Sequence, residues 1–258
     1  MGRKNIIKSE NAVSEVVDVV LILGIMLIAI TVITVAGFPA LQNMQESGHK
    51  ENIRQSFIVL GENVNKVVFD HAPSQSIELK MYGGGIWVTG NSSIYVELET
   101  WNATNSKTEI QPIDIQLREL QNQYEDTTIS YENTGVWAKY ETGEAVMVRE
   151  PQFINSDELL VIPFTLVTGV DGIAGEGLVR VIAEKDSVPQ VYKYQNVSAV
   201  NITIQSPYYT AWEDYLNETL EMQIVDMDHM NSTVNASRSY AKNIDVYILQ
   251  SSIEMTIE

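Results

Sequence analysis

VVLILGIMLIAITVITVAGFPAL, Val19–Leu41, runs for 23 residues without a charge, and only Thr31 and Thr34 interrupt it with polar side chains. At 1.5 Å per residue this is roughly 34 Å of helix, enough to cross a hydrocarbon core of about 30 Å. No other run in the chain compares with it. A cleaved secretory signal has an apolar region of only about 7 to 15 residues, so the length predicts a retained membrane helix. The first twelve residues carry Arg3, Lys4 and Lys8 against a single Glu10. The positive-inside rule therefore predicts a cytoplasmic amino terminus and an exported segment after Leu41.

Composition narrows the partners. The 258 residues are 45% hydrophobic, which excludes a disordered polymer. Acidic side chains number 34 against 16 basic ones, a formal charge of −18. Such a chain repels phosphate backbones, so no nucleic acid is expected as a partner. Cysteine is absent, which excludes disulfides and thiolate metal sites.

A second feature agrees with export. Asn91, Asn102, Asn196, Asn201, Asn217, Asn231 and Asn235 each begin an N-x-[ST] tripeptide. Random placement of the chain's 18 Asn and 36 Ser plus Thr predicts roughly 2.5 such matches. All seven lie beyond the apolar run, and each is a candidate N-glycosylation site; abundant Asn and Ser/Thr in exposed turns are the alternative.

Two acids stand at the entrance of the membrane helix, Glu15 and Asp18. The first turn of a helix favours negative charge through its unpaired N–H groups and macrodipole, and Ser14 or Asn11 could cap that start. The block around them, a short basic leader followed by Ala12-Val13-Ser14-Glu15-Val16-Val17 and the long apolar helix, resembles the amino terminus of archaeal type IV pilin-like precursors with a class III signal peptide. The resemblance implies cleavage between Ala12 and Val13 by a prepilin peptidase, with the apolar helix retained. It also implies assembly of such subunits through this helix, with Glu15, and secondarily Asp18, pairing with the new α-amine of a neighbouring subunit. Glu15 lies closer to the implied cut than the bacterial pilin glutamate does, and Ser-Glu replaces the Ser-Pro common in archaeal relatives. Small residues Gly24, Ala29, Ala36 and Gly37 would permit close helix approach, and Pro39 could kink the helix.

Beyond Pro39 a helix resumes, because Ile53, Phe57, Leu60, Val64 and Val67-Val68 recur near 3.6-residue spacing. Strand patterns then dominate. Ile77–Tyr82 and Ile86–Gly90 are separated by Gly83-Gly84-Gly85, which reads as a hairpin. Further candidates are SIYVELETW, TTISYE, VWAKYE, AVMVRE, ELLVIPFTLV, LVRVIAEK, QVYKYQN, SAVNITIQ and the tail from Ile244 to Ile257. Tyr208–Leu220 reads as one short helix after Ser206-Pro207. The expected class is α+β: a long amino-terminal apolar helix and an antiparallel β-sandwich-like or irregular barrel head. The expected division is a leader at 1–12, an anchoring and assembly helix at 13–70 and an extracellular head at 71–258. YENTGVWAKYETG at 131–143, LLVIPFTLVTG at 159–169 and SPYYTAWEDYL at 206–216 are similar to segments of uncharacterised archaeal pilin-like surface proteins with a large β head. Their aromatics, Tyr131, Trp137, Tyr140, Tyr208, Tyr209 and Trp212, are expected as core or loop-packing residues.

Catalytic patterns are weak. Asp226, Asp228 and His229 could approach a divalent ion, but alternate strand residues share a face and His229 would point away. His71 follows Asp70 at a helix end, where it faces water or helix carbonyls. The triple glycine lacks the Gly-Lys-Ser/Thr of a phosphate loop, and Glu97 with Glu99 could hold calcium only weakly. No cofactor is expected, and the expected work is structural or adhesive. The rivals are an unprocessed single-pass protein with a ligand-binding or partner-binding β domain, and an extracellular hydrolase.

Overall fold

A computed structural model describes residues 7–69, 72–102, 107–169 and 172–258, with side chains from Val16 onward. The leader residues 1–6, the side chains of Ala12, Val13 and Glu15, and Asp70 and His71 lie outside the described residues. The chain forms two compact units, 1–49 and 50–258. Its class is α+β, a long apolar amino-terminal helix followed by a large β-sheet head with one short helix.

In the first unit, α1 covers Ile7–Val32 and a π-helical segment covers Ile33–Gly37. The helix α2, Phe38–Phe69, starts here and continues into the second unit. The π turn has a local cause. Pro39 has no N–H for the carbonyl of Val35 and its ring crowds that carbonyl, so the ladder widens just before it, with the Phe38 N–H bonding Ile33 O. The two polar interruptions are satisfied within the helix: Thr31 Oγ1 donates to Leu27 O at 2.7 Å and Thr34 Oγ1 to Ile30 O at 2.8 Å. No apolar side chain between Val16 and Leu41 is buried.

In the second unit, α2 buries Ile53, Phe57, Leu60, Val64, Val67 and Val68, the positions that the 3.6-residue spacing selects. The head strands are β1 Ser74–Asn102, β2 Lys107–Tyr124, β3 Thr127–Glu132, β4 Gly135–Tyr140, β5 Val146–Arg149, β6 Ile154–Asn155, β7 Leu159–Thr168, β8 Gly172–Lys185, β9 Gln190–Gln205, β10 Gln223–Asp228 and β11 Thr233–Ile257. The short helix α3, Tyr209–Asp214, ends in a π turn at Tyr215–Thr219.

Long strands change partners along their length. β1 pairs with β8 over Ser74–Trp87 and with β9 over Ser93–Thr100. β11 pairs with β9 over Thr233–Gln250 and with β8 over Ile253–Ile257. β1, β8, β11 and β9 therefore close on one another in a ring of antiparallel pairs, which leaves these four without a free inner edge. Among the described strands the pairing of β11 with β7 is the parallel exception. One apolar cluster lies between α2 and the β8 half of the ring, and a second between α3 and the β9 half.

The triple glycine does not form a hairpin. Gly83, with φ 111°, and Gly84, with φ 72°, make a bulge inside the single strand β1, where the register with β8 shifts between Tyr82 and Gly85. A Cβ on Gly84 would lie 2.0 Å from Gln123 O, so the spacing reflects close backbone approach to β2.

α2 packs closely on the sheet at Gly61, where an added Cβ would stand 2.9 Å from Val136 Cγ2. Val136 is fully buried and β-branched, so it cannot turn aside cheaply. Helix propensity alone predicts that Gly61→Ala stabilises by about 1 kcal/mol. We expect the opposite, a loss of about 1–3 kcal/mol in chemical denaturation of the full chain in detergent, because overpacking outweighs propensity here.

Candidate functional site

The most chemically loaded place in the head is the β3–β4 turn, Glu132-Asn133-Thr134-Gly135. Asn133 and Thr134 have φ of 45° and 70°, the left-handed pair of a type I′ hairpin. A β-branched residue at positive φ is strained, by about 1–2 kcal/mol. The surroundings hold the turn in place. Thr134 Oγ1 accepts the Gln152 N–H at 2.9 Å, Asn133 Oδ1 accepts the Thr165 N–H at 2.9 Å, and Asn65 Nδ2 from α2 donates to Thr134 O at 3.0 Å. Asn65 Oδ1 in turn accepts the Tyr131 hydroxyl at 2.8 Å.

Glu132 is fully buried. Its Oε2 accepts Ser92 Oγ of β1 at 2.5 Å, and its Oε1 accepts Ser206 Oγ at 2.9 Å and Trp212 Nε1 of α3 at 3.1 Å. Its backbone carbonyl accepts Trp137 Nε1 at 3.1 Å. The Trp137 and Trp212 rings lie 4.4 Å apart beside it, with Tyr208 stacked on Trp137 at 6.3 Å. One carboxylate thus joins β1, β3 and the segment leading into α3.

A second carboxylate stands beside it. The β2–β3 register pairs Leu120 with Tyr131, and one step further sets Glu119 against Glu132. Glu119 is also buried and is bonded by the Ser130 and Tyr208 hydroxyls. Burial raises its carboxyl above the ordinary range, opposed by those two hydroxyls and the charge of Lys139. Burial, then the charge of Glu119, pushes Glu132 up to about 7, opposed by Ser92, Trp212 and Ser206. Two carboxyl groups facing each other in a low dielectric cannot both ionise cheaply, so the pair holds a proton to higher pH than an ordinary glutamate does. Burial and the charge of Glu119 also hold the Tyr208 phenol well above its ordinary value.

Ser92 and Ser206 form the floor of a cleft of about 310 Å³, with Asn91, Lys139, Gln205 and Asn231 around it. Both serines are only 2% exposed, and their hydroxyls serve the carboxylate below.

Apart from the aromatics and from Asn91 and Asn231 at the cleft, the residues singled out in the sequence fall elsewhere. Asp18 is exposed on α1. Asn91, Asn196, Asn217 and Asn231 are exposed, whereas Asn102, Asn201 and Asn235 are half-buried. Asn102 Nδ2 donates to Glu109 Oε1 at 2.8 Å, and residues 103–106 after it lie outside the described residues. Asp228 caps the β10–β11 turn, accepting the Met230 and Asn231 N–H groups at 2.9 and 3.1 Å, and His229 Nδ1 meets the Tyr209 hydroxyl at 2.7 Å. Glu97 accepts the Tyr95 hydroxyl and Asn201 Nδ2, while Glu99 is exposed. Among the described residues no group of three or more His, Asp or Glu could hold a metal ion. Tyr131, Trp137, Tyr208 and Trp212 are buried, but Tyr140 is 37% exposed and Tyr209 half-buried against His229. Glu119, Glu132 and Ser92 escaped sequence reasoning. A glutamate ending the otherwise buried run TTISYE, just before an Asn-Thr-Gly turn, was the available signal.

The pair makes stability pH-dependent in a direction opposite to a salt-bridged carboxylate. With its folded value raised, Glu132 contributes stability that is fully present below about pH 4.5 and is lost as pH rises to about 7. The loss is on the order of 3 kcal/mol. Equilibrium unfolding of the full chain in detergent should therefore give a difference between native protein and Glu132→Gln that changes across this window and is flat above it. A difference that stays constant from pH 4.5 to 7 would contradict the buried pair.

A family model matches residues 11–256 of the chain. No curated protein and no solved structure gives a match. With nearly the whole length covered, the chain belongs to DUF7289, a family of unknown function.

Proposed function

We propose that this chain is a type IV pilin-like cell-surface subunit: cut by a prepilin peptidase between Ala12 and Val13, anchored by its apolar helix, and assembled with sister subunits through that helix. The observation that carries the reading is the uncovered helix. The stretch reaches a mean hydropathy of 3.0, and none of that window is buried. In water such a surface is strongly unfavourable, at about 25 cal/mol per Å² of exposed apolar area, so lipid or other helices must cover it. One helix long and apolar enough to cross a bilayer fits a single-pass membrane protein.

The finer parts of the reading rest on residue chemistry. Cleavage at Val13 frees an α-amine with a reference pKa near about 7.7–8. Buried among helices, that ammonium is costly unless paired, and Glu15, with Asp18 beside it in sequence, supplies the counter-charge. The basic leader keeps the amino terminus cytoplasmic and sends the acidic, N-glycosylated head outside. The head's work is structural or adhesive.

Mass spectrometry of the mature amino terminus separates this reading from an unprocessed single-pass protein. Val13 is expected; Met1 or Gly2 would leave only an anchored β domain. Glu15→Ala should preserve processing yet reduce filament yield at least tenfold by electron microscopy, the cost of one unpaired buried charge being about 3–5 kcal/mol. Normal filaments in that variant would remove the pairing role.

A further inference from the structure

β1, β9 and β11 turn one face to the core and the other to solvent. On the core side Val96, Ile202 and Ala236 are fully buried. On the solvent side the register sets Tyr95, Thr203 and Asn235 in one row and Glu97, Asn201 and Ser237 in the next. An N-x-[ST] tripeptide places its Asn and its hydroxyl two residues apart, so within a strand both ends fall on the same face. Asn201 with Thr203, and Asn235 with Ser237, therefore sit wholly on the solvent face. Ser93, Gln205 and Thr233 form the end row of that face. Asn91, at the β1 bulge, and Asn231, in the β10–β11 turn, each lie two residues beyond this row in sequence. Both line the cleft over Ser92 and Ser206.

We infer that Asn91 and Asn231 form a paired N-glycan attachment site on the lips of this cleft, while Asn201 and Asn235, which match the same tripeptide, stay unmodified. The distinction is in the amides. Glycan transfer joins Asn Nδ2 to the anomeric carbon of a sugar carried as a lipid-linked phosphate ester. The C–O bond to phosphate breaks, its electron pair leaves on the phosphate, and one amide proton is lost to the transferase base. The amide must reach out of the protein for this.

Asn201 Nδ2 donates to Glu97 Oε2 at 3.2 Å, and Asn235 Nδ2 donates to Thr203 Oγ1 at 3.1 Å. That second bond also occupies the hydroxyl of the Asn201 tripeptide. The Oδ1 atoms of both residues are buried with no partner. Turning either amide outward would break its bond on a face where neighbouring strands lie about 4.8 Å apart. Asn91 and Asn231 are exposed. Asn231 Nδ2 does donate to Asp228 Oδ2, at 2.6 Å, but that contact is at the surface. Its loss leaves Asp228 Oδ1 on the Met230 and Asn231 N–H groups, so the turn survives. Ser232 has φ 53°, and Asn231 lies in a turn and not in a paired strand.

The inference rests on the proposed export of the head. It is tested on protein isolated from its native membrane, reading every tripeptide by glycopeptide mass spectrometry and the amino terminus from the same sample. Glycan mass is expected on the Asn91 and Asn231 peptides, with none on those of Asn201 and Asn235. Asn91→Gln and Asn231→Gln should each remove one glycan in gel mobility, and Asn201→Gln should change nothing. Glycan at Asn201 or Asn235, or a bare Asn91 or Asn231, overturns the inference. A mature Val13 end with bare lips would overturn it and leave the processing reading intact. An intact leader with glycans on both lips would do the reverse.

Discussion

Twenty-three consecutive residues that cross from Val19 to Leu41 with no charge and no buried apolar side chain impose the constraint on which the account depends. A helix of that character cannot face water. Its internal chemistry is arranged for an apolar surrounding: both threonines return their hydroxyls to the backbone, and the π turn accommodates Pro39 without ending the helix. In lipid a helix of this length and hydropathy would anchor the chain, and on the proposed reading the chain is one subunit of many. Among sister helices it would form the core of an assembly, and the same side chains serve both settings, because lipid tails and packed Leu, Ile and Val offer similar apolar contact.

The head obeys a different rule. Besides its two apolar clusters, it buries a carboxylate pair and uses hydrogen bonds to hold it. Leaving any of these donors unpaired would cost about 1–3 kcal/mol, so Ser92, Ser206 and Trp212 fix the approach of three separate chain segments to within hydrogen-bond distance. Asn65 extends the network into α2, and the Arg149–Glu62 ion pair at 2.6 Å and the Lys50–Asp126 pair at 2.5 Å add surface contacts between the same helix and the sheet. Those exposed pairs contribute little individually, about 0–1 kcal/mol. Specificity of the head fold therefore lies with the buried groups.

The sequence made some of this legible. The apolar run and the 3.6-residue spacing from Ile53 to Val68 report burial or its absence directly, so the helices were readable. β3 and β4 were readable as TTISYE and VWAKYE because two short strands meet at an Asn-Thr-Gly turn. Gly83-Gly84-Gly85 misled, since positive φ serves a bulge as well as a hairpin and local sequence does not choose between them. QVYKYQN and SAVNITIQ read as two strands but form one, β9, and EIQPIDIQLREL lies in β2 although its alternation is interrupted. Pro112 accounts for the latter: it breaks a strand pattern, yet it is tolerated because β2 meets β3 only from Leu120 onward. The Glu119–Glu132 pair was illegible for a different reason. Its members are 13 residues apart and meet only through a register that tertiary structure sets.

On the proposed reading the head faces the outside of the cell, and the absence of cysteine makes that placement directly measurable. Val188 is 82% exposed on the head and stands far in sequence from every residue of the buried network. A single cysteine introduced as Val188→Cys, probed in intact cells with a membrane-impermeant maleimide, should react fully before permeabilisation. Reaction only after the membrane is opened would place the head in the cytoplasm and contradict the account.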